Sequence, residues 1–250
     1  MKTFKKLKVN KMLSLLVMLN ILLINFGALV SAEETAKQNN SDYGLPTHRR
    51  DGGSRGNNDS CVSNSHSSLV ALIPEEKVGI NASASPKLFF YVPKVKEQKI
   101  LEFVLRNDQD KLIYETFFTT EGEGIVSVEI PSDVRANLIK KDTNYHWYLS
   151  MICNLEERSR DLVVEGWMRQ STINTAVKRE LENAEAIVKA QLYHEEGFWF
   201  DALSVLAENY QFEVEKSVVR AKWSELLKSV GLEELTSAPF IKSRTVESSI

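Results

Sequence analysis

Apolar positions along the chain fall into three regimes. Residues 12–30 form an almost continuous apolar run, and residues 33–65 are dominated by polar side chains and glycine. From Leu69 onward, short apolar or alternating runs are each closed by a turn signal. They lie at 69–73 before Pro74, 88–92 before Pro93, 100–105 before Asn107-Asp108, and 112–118 before Glu121-Gly122. Three more follow at 125–130 before Pro131, at 145–153, and at 162–168. Seven such segments at these spacings predict strands of an all-β sandwich or barrel. Val126, Val128 and Ile130 alternate with Ser127 and Glu129, the period-2 signature of a half-buried strand. No helix-period segment interrupts the series, which disfavours a parallel βαβ fold. Leu138 followed by Tyr145, with Trp147 beyond, has the character of a tyrosine corner entering a late strand.

After Gln170 the period changes to about 3.6. Ile173, Val177, Leu181, Ala184, Val188 and Leu192 fall on one helical face. The run Tyr193, Gly197, Trp199, Ala202, Leu203 and Leu206 is similar to the middle of one tetratricopeptide repeat, with Gly197 at the turn and Ala202 at a close crossing. One repeat does not make a solenoid. A third helix is predicted over 214–230, with Val219, Trp223, Leu226, Leu227 and Val230 inward and Gly231 ending it. A hairpin of this kind cannot bury its faces alone. Residues 170–236 are therefore expected to pack as a three-helix unit around Ala202 and Trp223, with leftover aromatic surface resting on the sandwich or on another subunit. The tail 237–250 is expected to be flexible.

The expected fold is mainly β plus α: an antiparallel immunoglobulin- or fibronectin-like sandwich over 66–170, then a small three-helix region over 171–236. Ahead of it stand a flexible polar linker over 33–65 and a segment of separate character over 1–32. In that segment Lys2, Lys5, Lys6, Lys8 and Lys11 precede the apolar run, which closes on Val30-Ser31-Ala32 before Glu33. A basic region, an apolar core and small residues at a cleavage spacing predict a secretory signal peptide. An uncleaved anchor is the rival reading, but Asn20 and Asn25 interrupt the run, and amides are costly in hydrocarbon.

Composition narrows the function. The 250 residues carry 31 Lys+Arg against 34 Asp+Glu, a formal net charge of −3, and loss of the five signal lysines takes it to −8. An acidic chain disfavours nucleic acid and anionic membranes. Cys61 and Cys153 suit an oxidising compartment, and a bridge between them is expected; two unpaired thiols, one buried, are the alternative. The histidines His48, His66, His146 and His194 show no paired metal-ligand spacing. Gly-x-Ser-x-Gly and phosphate-loop motifs are absent. Glu121 and Glu123 read as turn residues, and Asp108 and Asp110 lack the rest of a calcium loop. Asp51, Asn57, Asn58 and Asp59 form a loose oxygen-rich stretch. No catalytic residue, metal ligand or cofactor is assigned.

Two features have exposed character. Arg49, Arg50 and Arg55, spaced by glycines in Arg49-Arg50-Asp51-Gly52-Gly53-Ser54-Arg55-Gly56, can grip an anionic partner through bidentate contacts, or serve as a permissive entry strand. The aromatics Phe89, Phe90, Tyr91, Phe117, Phe118, Trp147, Tyr148 and Trp167 must place rings on both faces of their strands. The outward set either covers the helices or forms a sugar-binding platform.

That arginine-glycine segment, Cys61, Leu69-Val70-Ala71-Leu72-Ile73-Pro74, Phe89-Phe90-Tyr91-Val92-Pro93, Gly124-Ile125-Val126, Tyr145-His146-Trp147, Cys153 and Val164-Glu165-Gly166-Trp167 occur in this order. Together they resemble the exported cyanobacterial family known as domain of unknown function 928. The resemblance implies secretion and a β-rich domain and brings no activity. The expected role is an exported, non-enzymatic interaction or structural protein with a protein or glycan partner in the envelope. A carbohydrate- or peptide-binding module is the alternative and a hydrolase the third reading; oligomeric state stays open.

Overall fold

The alternating runs become two β-sheets. The computed structural model describes residues 47–51, 61–63, 68–75, 78–83, 86–210 and 216–246. The predicted signal, Arg55, His66 and the stretch Asn57, Asn58, Asp59 lie outside them. A three-stranded sheet runs β1-β3-β6 (Val70–Ala71, Lys87–Val92, Gly124–Glu129). A six-stranded sheet runs β2-β8-β7-β4-β5-β9, with β2 Gly79–Asn81, β4 Ile100–Arg106, β5 Leu112–Thr120, β7 Asn144–Ile152, β8 Leu162–Gln170 and β9 Ser243–Thr245. All seven predicted strands are present; β2 and β9 are additional, and so is the short helix α1, Ser132–Leu138.

The inner faces follow from parity. Leu101, Phe103 and Leu105 of β4 and Tyr145, Trp147, Leu149 and Met151 of β7 are buried. Phe90 of β3 meets Phe103 and Trp147 edge to face, at ring separations of 6.3 and 5.4 Å. Its neighbour Phe89 points the other way, to Trp223 at 6.2 Å, because successive strand residues face opposite sides. The Tyr145 hydroxyl donates to the Leu138 carbonyl (3.2 Å) and accepts from the Lys140 amide (2.8 Å), the bonding expected of a tyrosine corner.

The expectation of an all-antiparallel immunoglobulin-like sandwich needs correction. β2 pairs with β8 in parallel, and the sheets hold six and three strands. The architecture is a mixed β-plus-α unit, with helices on the far side of the small sheet.

The helical region holds four α-helices rather than three: α2 Thr175–Asn183, α3 Ala186–Glu195, α4 Trp199–Asn209 and α5 Lys216–Lys228. Asn174 caps α2 by accepting from the Ala176 amide. Ala184 and Glu185 are extended, so the face predicted to run unbroken to Leu192 loses its phase. Val188, expected inside, is 49% exposed, while Ala190 is buried. Gly197, at φ +82°, turns the chain between α3 and α4, and Ala202 and Trp223 are fully buried. Trp199 Nε1 donates to the Leu72 carbonyl at 2.8 Å, which fastens the helices to the β-layers. Asp201, in the first turn of α4, accepts from the Ala82 and Ser83 amides at 2.7 and 2.8 Å. Burial nevertheless lifts its pKa to about 6.

Both boundary expectations are also revised. Within the predicted linker, residues 48–51 form a strap that pairs with both sheets. His48 exchanges backbone bonds with Glu165 of β8, while Arg49 and Asp51 bond to Ala71 and Leu69. At the other end, 238–246 is folded. The Ile125 amide donates to the Pro239 carbonyl and the Ile125 carbonyl accepts from the Ile241 amide, Phe240 lies tilted against Trp223 at 5.1 Å, and β9 pairs with β5. Gly124 permits this: its φ is +153°, and a Cβ there would sit 2.3 Å from the Pro239 carbonyl oxygen. Ile125 is thereby buried on the face that alternation alone assigns to solvent.

Candidate functional site

The arginine segment resolves first. Arg49 is 7% exposed. Its Nη1 donates to the Val230 carbonyl (2.5 Å), Nη2 lies 3.0 Å from Glu75, and both nitrogens reach neighbouring carbonyls at Ile73 and Gly231. A guanidinium over the carbonyls that follow a helix end is a C-terminal cap. Burial lowers its pKa despite the attraction of Glu75. Arg50 pairs with Glu234. Both groups clasp the strap to residues 230–234, while Arg55, the third arginine of the expected anion grip, lies outside the described residues. Glu121 and Glu123 are likewise occupied, by Arg244 and the Tyr91 hydroxyl, and Asp110 lies 3.5 Å from Arg106. His194 meets Trp199 edge to face at 6.2 Å. Cys61 and Cys153 are joined in a disulfide.

A different cluster stands on the outward face of the six-stranded sheet. Register places Trp167 opposite His146, and Glu165 opposite Tyr148. The rings of His146 and Trp167 are stacked at 4.2 Å with 9° between planes, and Tyr148 lies against His146 at 4.2 Å. The Tyr148 hydroxyl bonds with His146 Nδ1 at 2.7 Å. His146 Nε2 is 3.1 Å from Glu165 Oε2, and His48 Nδ1 is 2.5 Å from Glu165 Oε1. One carboxylate therefore sits between two imidazoles. Partial burial lowers the pKa of His146, with Glu165 pulling it back up. Burial and the Glu165 charge raise that of Tyr148.

Sequence reasoning placed His146, Tyr148 and Trp167 on strands and counted Tyr148 and Trp167 among the aromatics of a candidate sugar-binding platform, but it gave no role to His146, Glu165 or His48. An acid two residues before an outward Trp in an otherwise apolar strand is a signal for Glu165. His48, 117 residues from its partner, leaves no local trace. Among the described residues, no group of three or more His, Cys, Asp or Glu side chains is arranged to hold a metal ion.

Tyr148, His146 and Glu165 follow the order of nucleophile, base and orienting acid. However, burial and the Glu165 charge make Tyr148 less acidic, where activation as a nucleophile requires the reverse.

No curated protein and no solved structure matches the chain. The family described as Domain of Unknown Function (DUF928) matches residues 50–240, a span that takes in Glu165, both cysteines, every strand but β9 and the helical region. The chain belongs to that family.

Proposed function

We propose that this protein is exported behind a cleaved signal peptide and acts without catalysis, holding a partner of the cell envelope or extracellular space on the outward face of its six-stranded sheet. The observation that carries the reading is the Trp167–His146–Tyr148 stack braced by Glu165. It is a preorganised aromatic-polar surface on a rigid β element, the kind of place where binding energy concentrates. The tetratricopeptide-like spacing around Gly197 and Ala202 is read as packing of the helical layer and not as a peptide groove.

Crosslinking and pulldown from the exported fraction, with parent and Trp167→Ala side by side, tests this. A captured partner weakened roughly tenfold or more by the variant is expected; equal capture by both overturns the reading. N-terminal sequencing of the same fraction is expected to begin at Glu33, and an intact Met1 in the cytoplasm overturns export.

A further inference from the structure

The ladder between β4 and β7 closes on the pair Ile100 and Ile152. The chain therefore enters β4 and leaves β7 side by side, and the loop before β4 and the loop after β7 line one cavity of about 690 Å³. That volume lies within the range of small-molecule sites. Ile100, Ile152, Leu155 and the Cys61–Cys153 disulfide form its apolar part. Leu155 is 68% exposed, so it offers the cavity an apolar surface that the core does not use.

Charges of both signs share the lining: Lys96, Glu97 and Lys99 on the first loop, Glu156 and Arg160 on the second. Lys99 lies 3.9 Å from Glu97, and Arg160 lies 3.0 Å from Glu157. Among the described residues, Lys96 and Glu156 are the lining charges without an ion-pair partner, one on each loop and both exposed. The two side-chain amides are each half used. Gln98 Nε2 donates to the Thr120 carbonyl at 3.3 Å, which leaves Oε1 to accept. Asn154 Oδ1 accepts from the Glu156 amide at 2.9 Å, which leaves Nδ2 to donate.

These groups discriminate between occupants. An anion answers Lys96 but meets the repulsion of Glu97 and Glu156. A neutral sugar leaves both unpartnered charges unanswered. A zwitterion with an amide between its ends answers the whole set.

We propose that this cavity binds short peptides with free termini and apolar side chains. The ligand carboxylate pairs with Lys96 and its ammonium with Glu156. A peptide N–H donates to Gln98 and the peptide carbonyl accepts from Asn154, while the side chains lie against Ile100, Ile152, Leu155 and the disulfide. The site is separate from the Trp167 cluster, and neither reading depends on the other.

Calorimetric titration of the full exported chain with leucyl-leucine, its N-acetyl and C-amide forms, diglycine and inorganic phosphate tests this. Leucyl-leucine is expected to bind saturably, and either cap to weaken it roughly tenfold through loss of one charge-assisted bond. In Lys96→Ala, the free dipeptide and its amide should bind alike while the acetyl form stays weaker. In Glu156→Ala, the free dipeptide and its acetyl form should bind alike while the amide stays weaker. Leu155→Asp should narrow the preference for leucyl-leucine over diglycine. All three positions are exposed, so the unfolding midpoint should not move, and the capped ligands probe the same charges on the parent chain alone. No saturable binding of leucyl-leucine overturns the proposal. So does equal binding of the free and capped forms, tighter binding of phosphate, or a charge variant that keeps the parent's discrimination.

Discussion

His48 and Arg49 are adjacent on the same strap and have opposite fates. Arg49 turns inward and spends its donors on carbonyls near Val230 and on Glu75. His48 turns outward, with a side chain 67% exposed, and meets Glu165 at the edge of the cluster. The difference teaches that a charged side chain in this fold is judged by what saturates it. A saturated group is structural, whatever its motif suggests. A half-satisfied group on a rigid, exposed sheet is where a ligand can still be recognised.

The largest expected effect comes from the inward side. Arg49→Ala should destabilise the fold by about 2–4 kcal/mol, because it removes charge-assisted bonds and strands the carbonyls they satisfied. Denaturant unfolding measures it, and ligand capture by the folded fraction should be unchanged. A variant that folds normally but loses capture would return Arg49 to the binding surface.

The helical layer belongs to the same saturated ground. Ala202→Leu should overpack the crossing beside Trp223 and cost about 1–3 kcal/mol. An unaltered unfolding midpoint would show that the helices do not close on Ala202.

On the outward side, stability should respond weakly and to pH. His146 binds its proton below the ordinary imidazole value of about 6.5, chiefly through burial and against the pull of Glu165. As pH falls below about 6.5 the unfolded chain takes up this proton first, so the His146 contribution declines until the folded-state pKa is passed. Glu165, His48, Tyr148, Asp110 and Arg106 are the titratable and charged groups around it. Asp201, with its pKa raised to about 6, works in the opposite sense: its ionisation costs stability as pH rises from about 4 toward 6. The informative quantity is therefore the difference between parent and His146→Gln in unfolding midpoint at pH 7.5 and pH 5. The parent should lose more on acidification than the variant. Equal losses would mean that His146 does not titrate within this cluster.

Strand positions, and the need for adjacent aromatics such as Trp147 and Tyr148 to face opposite sides, were legible in the pattern, because alternation is a local property of consecutive residues. The turn at Gly197 and the burial of Ala202 and Trp223 were legible for the same reason. The break at Ala184 was not, since both halves keep an apolar stripe and only the phase changes. The folded tail was unreadable too. Phe240 and Ile241 are sparse apolar residues in a polar stretch, and they find partners only because Gly124 lets the chain approach.

By itself, then, the sequence determined which residues could be strand or helix, since periodicity and turn chemistry act between near neighbours. The tertiary structure alone decided that β2 would run parallel to β8, that Arg49 would cap a helix far along the chain, and that His48 would reach Glu165. Those contacts join residues up to 182 positions apart, where no local preference acts. What selects them is the burial of the two sheets and the helical layer against one another.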